Sequence, residues 1–239
     1  MMSDFETYLA SAADIPWTTE TTDTLPHMSP GNGAQPKASP YVWVTWMSKI
    51  IAGEAFCEWS LWFRARYSYT KLNAGADLTR WTEEHDDLVR ARERDLRLAH
   101  VAPRLEQGLT VQGRLATISG KPDIRYDLDG AVFFEDAKTG KHRDSDHVQV
   151  LLYVWLWKLQ TGRVGRGGVV YSAGVVDVDG SRLPEVERDA IRLLRMSASS
   201  VAPTCHPSPG ECRSCNIGRI NCHRRDESAA GAVFQTDAF

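Results

Sequence analysis

The first forty residues show almost no periodicity, and from about residue 41 the apolar positions fall into spacings that can be read as elements. Between residues 45 and 69, Trp46, Ile50, Ile51, Cys57, Leu61 and Trp62 recur at helical spacing and predict a helix. A second helix is predicted over 78–100. It is heavily charged, with Trp81, Leu88, Leu96 and Leu98 supplying its apolar side. Past Pro103 the period shortens. Residues 109–118 alternate like a strand with Val111, Leu115 and Ile118 to be buried. Residues 124–128 and 131–137 read as a hairpin about Asp127-Leu128-Asp129-Gly130. Residues 145–160 are apolar and aromatic (Val148, Leu151, Leu152, Val154, Trp155, Leu156, Trp157), which predicts a buried helix. A strand over 169–178, ending at Asp179-Gly180, and an amphipathic helix over 184–199 complete the series. The order is helix, three strands, helix, strand, which is an α/β arrangement.

At 239 residues and 42% hydrophobic, the chain can bury one sizeable core. Residues 1–40 are rich in Thr, Ser, Pro, Gly and Asp and are expected to form a mobile extension, with a short helix over 4–14. The folded domain is expected over 41–226 and a tail over 227–239. No run of about 18 apolar residues exists, so no membrane span is expected. The N-terminus has no basic segment followed by an apolar one, and the expected location is cytoplasmic. Five cysteines in such a chain point to a reducing compartment, where clustered thiols bind metal more often than they pair. Charge is uneven. Five acidic residues stand against Lys37 alone in the first forty, which leaves a near-neutral body. Arg213, Arg219, Arg224 and Arg225 form a local basic cluster around the last three cysteines.

The candidate chemistry lies between residues 120 and 153. Gly120-Lys121-Pro122-Asp123 precedes the hairpin, Glu135-Asp136-Ala137-Lys138-Thr139-Gly140 ends it, and Gln149 and Tyr153 open the next helix. Asp136 and Lys138 are two apart on a strand and share a face, whereas Glu135 points to the other side. Two carboxylates, Asp123 and Asp136, with the Ala137 backbone carbonyl, suit a hard divalent cation such as Mg²⁺ or Mn²⁺. Such an ion polarises a phosphate and acidifies a water, while Lys138 positions that water or neutralises charge. Gln149 and Tyr153 are one turn apart and face the lysine or a DNA backbone. His85, in Glu83-Glu84-His85, is a further candidate ligand for the ion.

Cys212-x-x-Cys215 followed by Cys222 forms a compact thiolate group that needs one more soft ligand. Two cysteines compete for the place. Cys205 gives a local four-cysteine unit suited to zinc. Cys57 ties the ends of the domain together and suits an iron–sulfur cluster. Spacing alone leaves the choice open.

Taken together, Asp123, Asp136-Ala137-Lys138 and Gln149…Tyr153 resemble the RecB-like branch of the PD-(D/E)XK nuclease superfamily. One cysteine before that core and Cys-x-x-Cys…Cys after it resemble its iron–sulfur members, including the CRISPR-associated exonuclease family and the AddB nuclease domain. The resemblance covers about residues 44–225. It implies a restriction-endonuclease-like core, with a central mixed sheet flanked by helices and the C-terminal cysteines packed on an N-terminal helix. It also implies a 4Fe–4S cluster on Cys57, Cys212, Cys215 and Cys222 rather than zinc. The implied Mg or Mn ligands are His85, Asp123 and Asp136, with Lys138 catalytic. The expected activity is exonucleolytic hydrolysis of single-stranded DNA ends. Cys205 and a long spacer before Cys222 depart from the family pattern. No Gly-x-x-x-x-Gly-Lys-Ser/Thr phosphate loop is present, so unwinding would need a helicase partner. The alternatives are a non-catalytic or partner-activated DNA-end-binding subunit of a CRISPR adaptation or recombination complex, and a sequence-specific endonuclease.

Overall fold

A computed structural model describes residues 33–72, 79–204 and 207–222. The expected helix over 4–14, the tail over 227–239, Cys205, Arg224 and Arg225 lie outside the described residues.

The region expected as one helix over 45–69 is instead two helices and a strand: α1 (Val44–Ile51), α2 (Glu58–Arg66) and β3 (Tyr67–Tyr69). Gly53 ends α1 at φ 70°, a left-handed conformation that glycine adopts without strain. Gly53 N–H donates to Ile50 O at 3.1 Å and Glu54 N–H to Lys49 O at 2.8 Å, so the last carbonyls are satisfied before the chain turns away. Part of the segment expected to be a mobile extension also forms a strand. β1 (Ala34–Pro36) pairs antiparallel with β3, and β2 (Tyr41–Trp43) leads into α1.

The charged helix forms as expected, as α3 (Thr79–Leu98), but its apolar side is narrower. Leu96 is buried, whereas Trp81 is 60% exposed and Leu98 is also exposed. The alternation over 109–118 is not one strand but an antiparallel pair, β5 (Leu109–Gln112) and β6 (Thr117–Gly120), after the short β4 (Arg104–Leu105). Leu115 falls in their turn. β7 (Ile124–Leu128) and β8 (Ala131–Ala137) form the expected hairpin. Asp129 and Gly130 both have positive φ, as a tight turn with the twist of the flanking strands requires. α4 (Asp144–Thr161) follows, buried along most of its length. The expected strand over 169–178 divides into β9 (Arg166–Tyr171) and β10 (Gly174–Asp177), and α5 (Leu183–Ala198) is the predicted amphipathic helix. α6 (Pro209–Ser214) is a short helix in the cysteine-rich region.

The main sheet has the order β10-β9-β8-β7-β4 and is mixed: β8 and β9 run parallel, and the other neighbours antiparallel. A second sheet, β2-β6-β5, is also mixed. α4 is the crossover between β8 and β9 and packs against both sheets and against α1 and α5. Val148, Leu151, Leu152, Trp155 and Leu156 join Phe134, Ile118, Leu109 and Val42 in the largest apolar cluster. This enclosure explains why α4 carries so little amphipathic pattern. On the other face of the main sheet, α3 sets Leu96 against Ile124 and Tyr126. The C-terminal half of β8 is therefore covered on both faces, and its polar side chains are held in a low-dielectric layer.

Candidate active site

The β7–β8 hairpin builds the site. Its register places Ile124 opposite Glu135, and one step further sets Asp123 opposite Asp136. Facing carboxylates repel, so the pair calls for positive charge nearby. Lys138, the residue after the end of β8, supplies one such charge: its Nζ lies 2.5 Å from Asp136 Oδ2. Asp136 is only 2% exposed. Its Oδ1 accepts from Gln149 Nε2 at 3.0 Å and from the Tyr153 hydroxyl at 3.1 Å. Gln149 also donates to the Tyr153 oxygen at 2.7 Å and accepts from Lys138 Nζ at 3.2 Å. The one-turn spacing on α4 thus delivers both side chains to the lysine and the aspartate.

Asp123 is held from two directions. Its Oδ2 accepts from the Ala137 N–H at 2.7 Å and lies 3.0 Å from Nε2 of His85, which reaches over from α3. Asp123, Asp136, Ala137, Lys138, Gln149, Tyr153 and His85 line one pocket of about 550 Å³. Glu135 points the opposite way, as its position on the strand requires. It accepts from Arg92 Nε at 2.8 Å, Arg92 Nη2 at 2.6 Å and the Tyr126 hydroxyl at 2.8 Å.

Charges in the pocket are strongly coupled. Burial pushes the Asp136 carboxyl up to about 6; Lys138 pulls against this and Asp123 adds to it. Burial also works against the Lys138 ammonium, but Asp136, Asp123 and Asp146 outweigh it and hold the lysine above its ordinary value. His85 is raised by its hydrogen bond to Asp123 and by that carboxylate's charge, against partial burial. Burial and then Asp136 hold the Tyr153 phenol well above its usual range, so it is a neutral hydroxyl.

The donor set fits a hard cation. Asp136 Oδ2 is buried and is met by the Lys138 ammonium at 2.5 Å, so one cation already stands against the carboxylate pair. Two carboxylates facing each other against one lysine leave negative charge over, which an oxygen-seeking divalent ion would offset. Among the described residues, no three His, Cys, Asp or Glu side chains are drawn together tightly enough to ligate one ion.

The cysteines of the second predicted centre line a separate cavity. Cys57, Cys212, Cys215 and Cys222 border a single cavity beside α2 and α6. Cys57, Cys215 and Cys222 pack on Trp59, Trp62, Phe63 and Ile217. Glu211 on α6 accepts from the N–H groups of Phe56 and Cys57 at 2.8 and 3.0 Å and so ties the C-terminal segment to the start of α2. Arg64 Nη2 lies 3.8 Å from Cys215 Sγ. The four thiols come from both ends of the domain, but among the described residues no three of them are close enough together to ligate one ion.

Sequence reasoning missed three features in and around the pocket. Trp43 and Trp81 stand on its rim. The helical period puts Trp81 on the apolar side of its helix, and nothing in the local pattern marks Trp43. Asp146 is buried on α4, accepts from the Tyr171 hydroxyl at 2.9 Å and acts on Lys138. Its position three residues before Gln149 was the available signal. The third is Glu54, from the turn after α1, which accepts from Ser145 N–H at 2.9 Å and Ser145 Oγ at 2.7 Å and anchors the start of α4.

The family model described as the PD-(D/E)XK nuclease superfamily matches residues 42–221. No curated protein matches the chain. Among solved structures, one described as SSO0001 is 14% identical with a TM-score of 0.42, over 80% of this chain and 90% of that one. A candidate exonuclease from Eubacterium rectale is 16% identical with a TM-score of 0.37, over 63% of this chain and 60% of that one. Neither likeness is close enough to bear on function.

Proposed function

The chain belongs to the PD-(D/E)XK nuclease superfamily, and from that premise we propose that it is a metal-dependent DNA exonuclease acting on single-stranded ends. The observation that carries this reading is the buried Asp136, set opposite Asp123, ion-paired to Lys138 and bonded by Gln149 and Tyr153. Asp123 and Asp136 would hold Mg²⁺ or Mn²⁺, with the Ala137 backbone beside them, and His85, now bonded to Asp123, would join as a ligand once the three side chains draw together. The ion would supply charge to the scissile phosphate and lower the pKa of a water.

The protein's own groups have separate tasks. Lys138 stays cationic at neutral pH, so it orients the water and neutralises developing charge rather than removing a proton. Gln149 bridges Lys138 and Asp136 and fixes the distance between them. Tyr153, a neutral donor, holds Asp136 Oδ1 away from the phosphate and reaches the Lys121 carbonyl at 3.3 Å. Ala137 N–H fixes Asp123. The cluster-binding cysteines of this proposal are Cys57, Cys212, Cys215 and Cys222, and a 4Fe–4S cluster there would be structural, closing the domain's two ends on one another. Among the described residues no helix is long and apolar enough to cross a membrane. A helicase or CRISPR adaptation complex as partner belongs to the same proposal.

The test is degradation of end-labelled single-stranded, duplex and circular DNA with Mg²⁺ or Mn²⁺, with Asp136→Asn and Lys138→Ala in parallel. Cleavage of linear single strands that both variants abolish is the expected result. Equal cleavage of circular DNA would replace the exonuclease with an endonuclease. No cleavage from cluster-replete protein would leave a DNA-end-binding or partner-activated subunit.

A further inference from the structure

Two tryptophans border the candidate active site, and neither serves the core. Trp81 is 60% exposed and Trp43 is 37% exposed, yet both line the pocket that holds Asp123, Asp136 and Lys138. A single exposed aromatic needs no explanation. Two indoles on the rim of one polar pocket do, because each leaves a broad apolar face in water beside charged groups.

Their mountings are firm. Trp43 lies between Val42 and Val44, both fully buried, and pairs in register with Ser119 of β6, next to Gly120 and Lys121 on the approach to Asp123. Its ring meets Tyr41 edge-on, with centroids 5.8 Å apart. Trp81 is on the first turn of α3, four residues before His85, so the two side chains share one helix face. Because His85 touches Asp123, the Trp81 indole sits one helical turn from the carboxylate pair. With a divalent ion offsetting its two carboxylates, the polar floor suits a phosphate, and the two flat apolar rims suit the groups attached on either side of it.

We propose that Trp43 and Trp81 form a nucleobase-stacking subsite that takes unpaired bases flanking the phosphate bound at Asp123, Asp136 and Lys138. The position of that phosphate rests on the nuclease reading above. Bases in a duplex are already stacked on their neighbours and cannot offer a face to an indole, whereas an unpaired base can. Stacking is tolerant of sequence, so the subsite selects unpaired over paired strands without selecting a base.

The test uses the intact protein and a labelled oligothymidylate, alone or with abasic residues at its terminal nucleotides. Binding is read by fluorescence anisotropy with Ca²⁺ in place of the catalytic ion, and cleavage with Mg²⁺ or Mn²⁺. Trp81→Ala and Trp43→Ala are each expected to weaken binding of the ordinary strand by about tenfold, the loss of one stacked base, and Trp81→Phe to restore it. The parent should lose a similar factor on the abasic strand, which the double alanine variant should bind no worse than the ordinary one. In cleavage the variants should raise KM and leave kcat close to the parent's. Binding unchanged in both alanine variants overturns the subsite, as does an abasic penalty that persists in the double variant. Cleavage dependent on Asp136 but indifferent to both tryptophans overturns the subsite alone. Base-dependent binding by a protein that cleaves nothing supports the subsite and overturns the nuclease reading.

Discussion

Removing Arg92 should destabilise the protein far more than its place on a charged, partly exposed helix suggests. Its guanidinium meets Glu135, which is 2% exposed, through bonds of 2.6 and 2.8 Å. That hydrogen bond, opposed by partial burial, holds the Arg92 pKa above its ordinary value. In Arg92→Ala the buried carboxylate keeps only the Tyr126 hydroxyl as a partner. Breaking one side of a buried pair costs about 3–5 kcal/mol. The Arg92 side chain is itself 22% exposed, so some water reaches the gap and the lower end, about 3 kcal/mol, is expected. For a chain of this size that corresponds to a fall in Tm of about 6–12 °C. Urea unfolding at neutral pH measures it, provided the transition is two-state. The triple variant Arg92→Met, Glu135→Leu, Tyr126→Phe removes every member of the network and should recover most of the loss. A loss under about 1 kcal/mol in the single variant, the scale of a surface pair, would refute the reasoning. So would a triple variant no more stable than the single one.

Three other expectations follow from the same structure. In EDTA, the folded Asp136 retains a proton that the unfolded chain, at an ordinary value of 3.8, has released. The parent should therefore lose stability relative to Asp136→Asn as pH rises from about 4 through about 6, and Mg²⁺ should restore the parent alone; parallel pH curves would contradict this. A Cβ on Gly120 would stand 2.2 Å from Val44 Cγ2 and 2.7 Å from the Tyr153 ring, so Gly120→Ala should cost about 1–3 kcal/mol and shift Tyr153 off Asp136. A thermal melt and a cleavage rate both equal to the parent's would exclude that crowding. In anaerobically purified protein, Cys57→Ala should lose the brown thiolate–iron absorbance and Cys205→Ala should keep it, and the reverse would make Cys205 the fourth ligand.

What the sequence determined by itself was whatever depends on neighbours a few residues apart. The periods of α3, α4 and α5 arise within one or two turns, and Asp129-Gly130 specifies its own hairpin. Asp136 and Lys138 share a face because a strand alternates, and Gln149 and Tyr153 because a helix repeats. Tertiary structure decided everything that depends on distant partners. Alternation survives a tight turn, so 109–118 and 169–178 each read as one strand until pairing showed two. The helical spacing from Trp46 to Trp62 runs through Gly53, where the left-handed turn and the reach of Glu54 to Ser145 divide it. Glu135 needed Arg92 from another element, and the convergence of Cys57 on the C-terminal thiols needed the whole domain to close. Trp43 carries no local mark at all, and the helical period of Trp81 marks only the apolar side of its helix. An exposed indole and a core indole have the same side chain, and only the folded surroundings determine which face is left in water.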